Sequence, residues 1–389
     1  MRVWAAAVLA LLSTAVAAAG QELRGTLFTN DSLHTLSGVL VEATDRSGAR
    51  AAVSLSDSRG KFVLSLPAGR TLSLRALRIG YRPAALGEIE LAPGDTVERA
   101  FYASAAAIVL DEVMVAESQR CGRLGESGRR AATLFGEARK AIEASRLEAG
   151  GAELSAVWSL YSRRRALNGR PLGEAQQRQY EGSTARPFAS APADSLEAHG
   201  YVREIDGEMQ FFAPDADVLL SDSFARTHCF QAVDGEGPRA GQVGVAFRPA
   251  PERRNLPEIA GTFWLNAKTL ELNRLEFEYV GLPPVFSGRT AGGDVGFAKL
   301  STGSWLVGEW SIRMPRVSVG MERVVGRTSR PITRVRSLEE TGGIVQAVRL
   351  GGRVVLERRE TGDFDAPALD AETVALLCHS PLGARDAVV

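Results

Sequence analysis

Residues with the chemistry for catalysis are few in this chain of 389 residues and stand far apart. None of the histidines begins an H-x-x-E or H-E-x-x-H motif, the spacing that puts two zinc ligands on one helical face. The sequence has no G-x-S-x-G nucleophile elbow and no G-x-x-x-x-G-K-[ST] phosphate loop. We therefore predict no catalytic residue, no metal site and no cofactor. The histidines and cysteines are His34, His199, His228, His379, Cys121, Cys229 and Cys378.

The adjacent residues His228 and Cys229 form the most unusual candidate, because a histidine beside a cysteine suggests a thiol nucleophile. Neighbouring residues of a strand point to opposite sides, so these two side chains are not expected to share a proton. We expect His228 to be half-exposed at a strand end, with its ring bonded to backbone or water. The alternative is a hydrolase that acts on peptides or glycans through a site near His228.

The three cysteines leave either one unpaired thiol or one bond between molecules. We predict a disulfide between Cys121 and Cys229, because Cys121 lies at the start of a second domain and Cys229 at a strand end in its middle. Cys378 would then be free in a C-terminal tail. A bond between Cys229 and Cys378 is the competing arrangement, since spacing does not fix connectivity.

Two charged strings suggest ion binding, but both have simpler interpretations. Asp215, Asp217 and Asp222 could bind calcium weakly, yet the string lacks the glycine and the bidentate glutamate of an EF-hand loop. We interpret them as solvated loop acids. The arginines at 163–165 could contact phosphate. Nearby acidic residues favour a solvated strand end instead.

The first twenty residues have the pattern of a secretory signal peptide. Arg2 supplies the positive charge, Val3–Leu12 is an unbroken apolar run, and Ala17–Ala19 fits the small-x-small rule for cleavage. We predict a signal peptide over residues 1–20. The mature protein is then expected in the periplasm or at the outer-membrane periphery. No transmembrane span is expected after signal cleavage, because the later apolar stretches are too short.

The composition is that of a globular protein, with 45% hydrophobic and 24% charged residues. The net charge is zero, which argues against nucleic acid as a partner. The charge is unevenly spread: residues 120–186 and 312–360 carry an excess of +6 each, and residues 187–311 an excess of −7. The basic segments either pack beside the acidic one or meet anionic lipid or polysaccharide, and we favour mutual packing.

Residues 21–105 are predicted to form a small β-sandwich. Short runs of alternating or β-branched residues recur at intervals of about ten between Gly, Pro, Asp and Ser, the pattern of an all-β domain. In the run 61–66, Phe62, Leu64 and Leu66 share one face and are expected to pack. The strands are expected at 23–28, 37–43, 51–56, 61–66, 71–79 and 96–102.

A motif in this stretch resembles the carboxypeptidase regulatory-like domain, a transthyretin-like sandwich of exported bacterial proteins. The pattern is (T/S)D-x-x-G-x-F-x-L-x-L-P-A-G, followed by G-Y. Its residues here are Ser56, Asp57, Gly60, Phe62, Leu64, Leu66, Pro67, Ala68, Gly69, Gly80 and Tyr81. The segment Ile108–Val115 looks like the one that follows such domains in TonB-dependent receptors. The resemblance implies a non-catalytic accessory or interaction module, which a linker over 106–126 joins to the rest.

Residues 127–360 are predicted to form a helix plus antiparallel β domain, with an acidic tail over 361–389. Ser127–Leu147 has the amphipathic spacing of a helix. Glu137, Arg139, Lys140 and Glu143 cover the other side. We expect this helix to pack over a sheet, and the alternative is a helix that binds a partner. Strand signals follow at 154–161, 201–205, 209–212, 242–247, 261–266, 270–279, 296–299, 305–314, 316–321, 344–350 and 353–359.

The order Phe247–Pro249, Gly261–Asn266 and Leu275–Phe277 resembles periplasmic lipoprotein-carrier half-barrels, in which a curved sheet holds an acyl chain against helices. The predicted fold class is mainly β. An N-terminal transthyretin-like β-sandwich precedes a helix plus an antiparallel, half-barrel-like sheet.

These patterns together favour a non-catalytic exported binding or scaffold protein of the cell envelope, and not an enzyme. Its partner would be an envelope protein, a lipid or a polysaccharide. The half-barrel resemblance implies an alternative, a periplasmic carrier of lipid or lipoprotein. A carrier would need an apolar cavity, which a scaffold does not.

Overall fold

The computed structural model describes residues 21–31, 34–104, 106–108, 121, 126–149, 154–182, 188–205, 208–283, 286, 291–323 and 329–358. The predicted signal peptide, most of the predicted linker, the acidic tail, Cys378 and His379 lie outside these residues. The prediction of a mainly β fold is confirmed, with 54% of the structure in strands and 16% in helices.

The N-terminal unit is a sandwich of two sheets. One sheet has the strand order β4-β1-β7 and the other β3-β2-β5-β6. In β4 the expected alternation is present, since Phe62, Leu64 and Leu66 are buried while Lys61 is exposed. These side chains pack into a core of their own with Leu23 and Leu72. The strands are β1 (Gln21–Thr29), β2 (Leu40–Thr44), β3 (Arg50–Leu55), β4 (Lys61–Leu66), β5 (Leu72–Leu77), β6 (Ala84–Ile89) and β7 (Thr96–Ala103).

The second unit places one long helix, α1 (Glu126–Ala149), on a ten-stranded antiparallel sheet. Its strands are β8 (Leu154–Arg165), β9 (Gln176–Gly182), β12 (His228–Asp234), β13 (Gln242–Pro249), β14 (Glu258–Asn266), β15 (Leu272–Val280), β16 (Gly292–Lys299), β17 (Trp305–Arg323), β18 (Ser329–Leu350) and β19 (Arg353–Glu357). The order is β12-β13-β14-β15-β16-β17-β18-β8-β9, with β19 also paired to β18. The other elements are α2 (Ala193–His199), the hairpin β10 (Val202–Ile205) and β11 (Glu208–Phe211), α3 (Ala216–Leu220) and α4 (Asp222–Thr227).

Helix α1 is buried on two sides. Leu134, Ala138 and Ile142 face the sheet and join one continuous core that extends across it. Glu137 and Glu143, on the opposite side, are also buried. The helix therefore packs over a sheet, as expected, and its charged side is covered as well, because the N-terminal sandwich packs on it.

Ion pairs and backbone hydrogen bonds connect the sandwich to α1. The Glu137 carboxylate accepts a hydrogen bond from the backbone N–H of Gly80 at 2.7 Å. The Lys140 ammonium donates to the backbone oxygens of Arg78 and Tyr81, each at 3.1 Å, and pairs with Glu137 at 2.7 Å. Gly80 has a φ of +79°, and a Cβ there would lie 2.6 Å from the backbone oxygen of Thr269. The G-Y pair of the sequence motif therefore lies at this interface.

Several elements differ from the sequence prediction. The runs 305–314 and 316–321 form a single strand that continues through Pro315, where β16 no longer pairs with β17 and the missing N–H costs no bond on that side. Strands β6 and β9 and residues 329–343 of β18 were not predicted, because their apolar alternation is weak. Of β12, only the strand end at His228 and Cys229 was expected. Helices α3 and α4 escaped it because each is too short to show a period. Strand β8 extends beyond the predicted end at residue 161 and finishes with the arginines at 163–165.

Candidate functional site

His228, the histidine beside a cysteine, is fully buried: its side chain is 0% exposed. Its Nδ1 lies 3.1 Å from the backbone oxygen of Phe224 and 3.1 Å from the Thr227 hydroxyl. The expected backbone bond is therefore present, but the expected half-exposure is wrong. The reason is α4, which ends directly at His228 and covers its ring with that of Phe224, 4.4 Å away between centroids.

A buried acid lies next to this ring. The Glu258 carboxylate is 3.8 Å from His228 Nε2 and forms an ion pair with Arg253. Burial lowers the pKa of His228 to about 4 and raises the pKa of Glu258, although Arg253 opposes the second shift. His228 is therefore neutral at pH 7. Because both side chains are almost fully buried, a substrate has no direct access to them in this conformation.

Cys121 and Cys229 form a disulfide, the pairing that the sequence favours. Their Cα atoms are 5.5 Å apart, and the bond closes a loop of 108 residues. It ties the segment before α1 to β12. While the bond is intact, the Cys229 sulfur is no nucleophile.

The acidic string lies at the N-terminal ends of α3 and α4, where Asp215 caps α3. One oxygen of Asp215 accepts from the backbone N–H of Val218 at 2.9 Å, and its other oxygen accepts from the N–H of Ser190 at 2.8 Å. Asp217 and Asp222 lie in the first turns of α3 and α4, where negative charge is favourable. The interpretation of Asp215 as a solvated loop acid is therefore wrong. Within the described ranges, no three His, Cys, Asp or Glu side chains are grouped so that they could hold a metal ion.

A group of polar side chains lies on the side of the ten-stranded sheet that faces away from α1. Asp294 pairs with Ser311 on the next strand, Ser311 with Gly342, and Gly342 with Tyr161. Paired residues of antiparallel strands project to the same face, so these four form one row across the sheet. We call this side the polar face and define it by Tyr161, Arg163, Arg274, Asp294, Ser311, Arg313 and Glu340.

Two open grooves run along the polar face. The first has a volume of about 550 Å³, and Tyr161, Arg163 and Glu340 line it. The second has a volume of about 590 Å³, and Arg274 and Glu276 contribute to its lining. Asp294 and Arg313 line both, so the grooves are adjacent.

Charge pairs hold the groove side chains in place. Glu340 accepts from Arg163 at 2.5 Å and from Tyr161 at 3.3 Å, and it also pairs with Arg165. Burial raises the pKa of Glu340, but the two arginines outweigh burial, and the pKa lies below its ordinary value. The Glu340 carboxylate is therefore ionised at neutral pH. Arg163 and Arg165 lie at the end of a strand, as expected, but they are ion-paired with Glu340 and not solvated, whereas Arg164 between them is exposed.

A glycine makes room for the tyrosine in this arrangement. A Cβ atom at Gly342 would lie 2.4 Å from the Tyr161 hydroxyl oxygen and 2.5 Å from the backbone oxygen of Trp310. The Tyr161 ring can cross β18 only because residue 342 has no side chain. Burial raises the pKa of the Tyr161 phenol, which is therefore protonated and donates to Glu340.

The polar face presents hydrogen-bond donors and acceptors to the two grooves. The arginines present N–H donors, Asp294 and Glu340 are acceptors, and the Ser311 hydroxyl donates to Asp294 at 2.7 Å. Of the residues that define this face, only Arg163 belongs to a pattern that suggested binding, the three arginines at 163–165. The available signal was the period-two alternation of polar residues in β8 and β17, which predicts a polar face but not which residues meet on it.

Comparisons with known proteins do not supply a family. No protein-family model matches the chain, and no curated protein matches it. Among solved structures the chain is similar to a 9R-lipoxygenase from Cyanothece PCC8801, with 11% identity and a TM-score of 0.18 over 67% of this chain. The chain spans 39% of the length of that protein. At this TM-score the similarity carries no argument about fold or function.

The described part of the chain contains no helix both long and apolar enough to span a bilayer. The longest helix, α1, is instead buried between the sheet and the sandwich.

Proposed function

We propose that this protein is an exported, non-catalytic binding protein of the cell envelope, and that its ligand lies on the polar face. The observation that carries the proposal is the pair of adjacent grooves that share Asp294 and Arg313. Their volumes lie in the range of small-ligand sites. The sandwich and α1 act as a rigid support, since buried hydrogen bonds from Glu137 and Lys140 join them.

The grooves contain both arginines and carboxylates, and we propose that they bind a glycan that carries carboxylate groups. Arginine N–H groups match a carboxylate in geometry and charge, while Asp294 and Ser311 suit sugar hydroxyls. Arg313 is the arginine best placed to bind such a ligand. Its Nη1 lies 3.4 Å from both the Asp294 carboxylate and the Ser311 hydroxyl, a long distance for a hydrogen bond. A ligand that binds the Arg313 guanidinium therefore gives up little hydrogen-bond energy.

The two alternative functions have less structural support. A lipid carrier needs an apolar cavity, but the side chains between α1 and the sheet form one continuous core. A hydrolase near His228 needs an accessible site, and the His228–Glu258 pair is enclosed on all sides by the fold. Both would require an opening of the second unit.

Isothermal titration calorimetry on the mature protein tests this proposal. The ligands are an acidic oligosaccharide, oligogalacturonate, a neutral one of similar length, and soluble peptidoglycan fragments. We expect binding of the acidic glycan, and roughly 10-fold to 100-fold weaker binding by Arg313→Gln, the usual effect of losing a hydrogen bond to a charged group.

The matched control is Arg24→Gln, which removes one exposed arginine from the sandwich and should leave the affinity unchanged. Absence of binding to all three glycans would refute the proposal. Equal affinity of the wild type and Arg313→Gln would place the site elsewhere. Cleavage of a glycan during the titration would refute the non-catalytic assignment.

A further inference from the structure

Strands β17 and β18 extend far beyond their neighbours in the sheet. The pairing of β16 with β17 ends at Arg313, and the pairing of β8 with β18 begins at Leu338. Beyond these points, among the described strands, Met314–Arg323 and Ser329–Ser337 pair only with each other. At about 3.3 Å per residue, this two-stranded ribbon is roughly 30 Å long. We call it the arm.

The arm belongs to a strongly basic stretch in a chain of zero net charge. Residues 314–337 contain six arginines and one acidic residue, Glu322, a net charge of +5. Arg316 pairs with Glu339 at the base of the arm, while Arg334 and Arg336 are exposed further along it. The arginines are Arg316, Arg323, Arg327, Arg330, Arg334 and Arg336.

The arm also exposes apolar side chains. Met321 is 68% exposed and Val317 is 40% exposed. These residues are four apart in β17 and therefore lie on the same face of the ribbon, where Val317 is paired with Val335. Ser318 lies on the other face, where it is paired with Arg334 and accepts a hydrogen bond from Arg336 at 2.7 Å. One face of the ribbon thus presents Val317, Val335 and Met321, and the other presents Arg334 and Arg336.

We propose that the arm docks onto the surface of a membrane that contains anionic phospholipid. This inference depends on the arm and is independent of the glycan proposal. Clustered arginines next to a bilayer are attracted to its negative surface potential, and exposed apolar side chains enter the boundary between headgroups and acyl chains. Long arginine side chains can reach from the apolar level back to the headgroups.

Two observations favour a bilayer over a soluble polyanion. A polyanion would neutralise the arginines but would leave Val317 and Met321 in water, whereas a bilayer accommodates both kinds of side chain. An isolated two-stranded ribbon is also only marginally stable in water. Covering its apolar face would stabilise it, and a bilayer provides that cover.

Vesicle co-sedimentation of the mature protein tests the proposal. The vesicles are phosphatidylcholine alone and phosphatidylcholine mixed with phosphatidylglycerol, and heparin serves as the soluble polyanion. We expect binding to the mixed vesicles only, weakening as salt is added. Arg334→Gln with Arg336→Gln should reduce partitioning by about 30-fold, which corresponds to about 1 kcal/mol for each arginine.

Two further variants make the test specific. Arg46→Gln with Arg59→Gln removes two exposed arginines from turns of the sandwich and should leave partitioning unchanged. Met321→Trp should show a blue shift of its fluorescence on mixed vesicles, because the residue enters the interface. Binding to heparin without binding to vesicles would overturn the proposal in favour of a polyanion. Equal binding to both vesicle types, or no effect of the Arg334 and Arg336 substitutions, would also overturn it.

Discussion

The carboxylate of Glu137, in the middle of α1, accepts the backbone N–H of Gly80 from the sandwich across a distance of 2.7 Å. Glu137 is at the same time paired with Lys140, whose ammonium reaches two backbone oxygens of the sandwich. These groups are buried, so their loss leaves polar atoms without partners. The two units should therefore behave as one rigid body.

Removal of this carboxylate should destabilise the protein. Glu137→Ala leaves Lys140 buried without its counterion and should cost about 3 to 5 kcal/mol of unfolding free energy, the range for breaking a buried ion pair. Glu88→Ala, which removes an exposed glutamate from β6, should cost less than about 0.5 kcal/mol. Urea unfolding measures both. A loss of similar size in the two variants would show that the Glu137 contact does not hold the units together.

The disulfide should stabilise the protein through its long loop. Closure of 108 residues should contribute roughly 4 to 5 kcal/mol in the chain-entropy treatment, less any strain. Cys229→Ser should lower the unfolding free energy by about that amount, while Cys378→Ser should change it little. Peptide mapping without reduction checks the pairing directly, and a Cys229–Cys378 crosslink would contradict it.

Acid should lower the free energy of unfolding through protonation of His228. Its pKa is about 4 in the folded state, against an ordinary histidine value of 6.5, so the unfolded chain binds its proton more tightly. The resulting stability is complete above pH 6.5 and is lost as the pH falls through 4, by up to roughly 3 kcal/mol. Unfolding curves from pH 7 to pH 4, compared between the wild type and His228→Gln, isolate the contribution of His228 to the free energy of unfolding.

The neighbouring Glu258 has a raised pKa, and its contribution to stability is lost instead as the pH rises. This contribution is present in both proteins and largely cancels in the comparison. His199→Gln replaces an exposed histidine and serves as the control. If the wild type and His228→Gln lose stability in parallel as the pH falls, then His228 is not the titrating group.

The His228 ring is buried, so its removal should also destabilise the protein at neutral pH. His228→Ala should cost more than the roughly 1 to 2 kcal/mol of an average substitution, closer to about 3 kcal/mol of unfolding free energy.

A methyl group at Gly342 should disturb the polar face. It would lie 2.4 Å from the Tyr161 hydroxyl, so Gly342→Ala should cost about 1 to 3 kcal/mol by overpacking and displace the ring. Gly320→Ala is the matched control in the same hairpin, because a Cβ there meets no atom within 4 Å. Thermal unfolding compares them, and equal stability of the two variants would show that Tyr161 is not confined.

The mainly β fold could be predicted from the sequence because apolar and polar residues alternate along many strands, as in Lys61–Leu66. The burial of Glu137 and His228 could not be predicted, because it depends on which element packs over each residue. For Glu137 this is the whole sandwich, and for His228 it is the short helix α4. The polar face depends on register: Glu340 and Arg163 lie 177 residues apart, and alternation alone does not align them.

Hydrogen–deuterium exchange of the mature protein, with and without the acidic oligosaccharide, tests the central claim most directly. If the polar face is the binding site, amides of 292–299, 305–313 and 338–344 should exchange more slowly when the glycan is present, while α1 and the region around His228 should be unchanged. Protection of α1 and of β12–β14, without protection of these three segments, would support a carrier, and protection confined to the region around His228 and Glu258 would support an enzyme. Either result, or no protection at saturating glycan, would contradict the account.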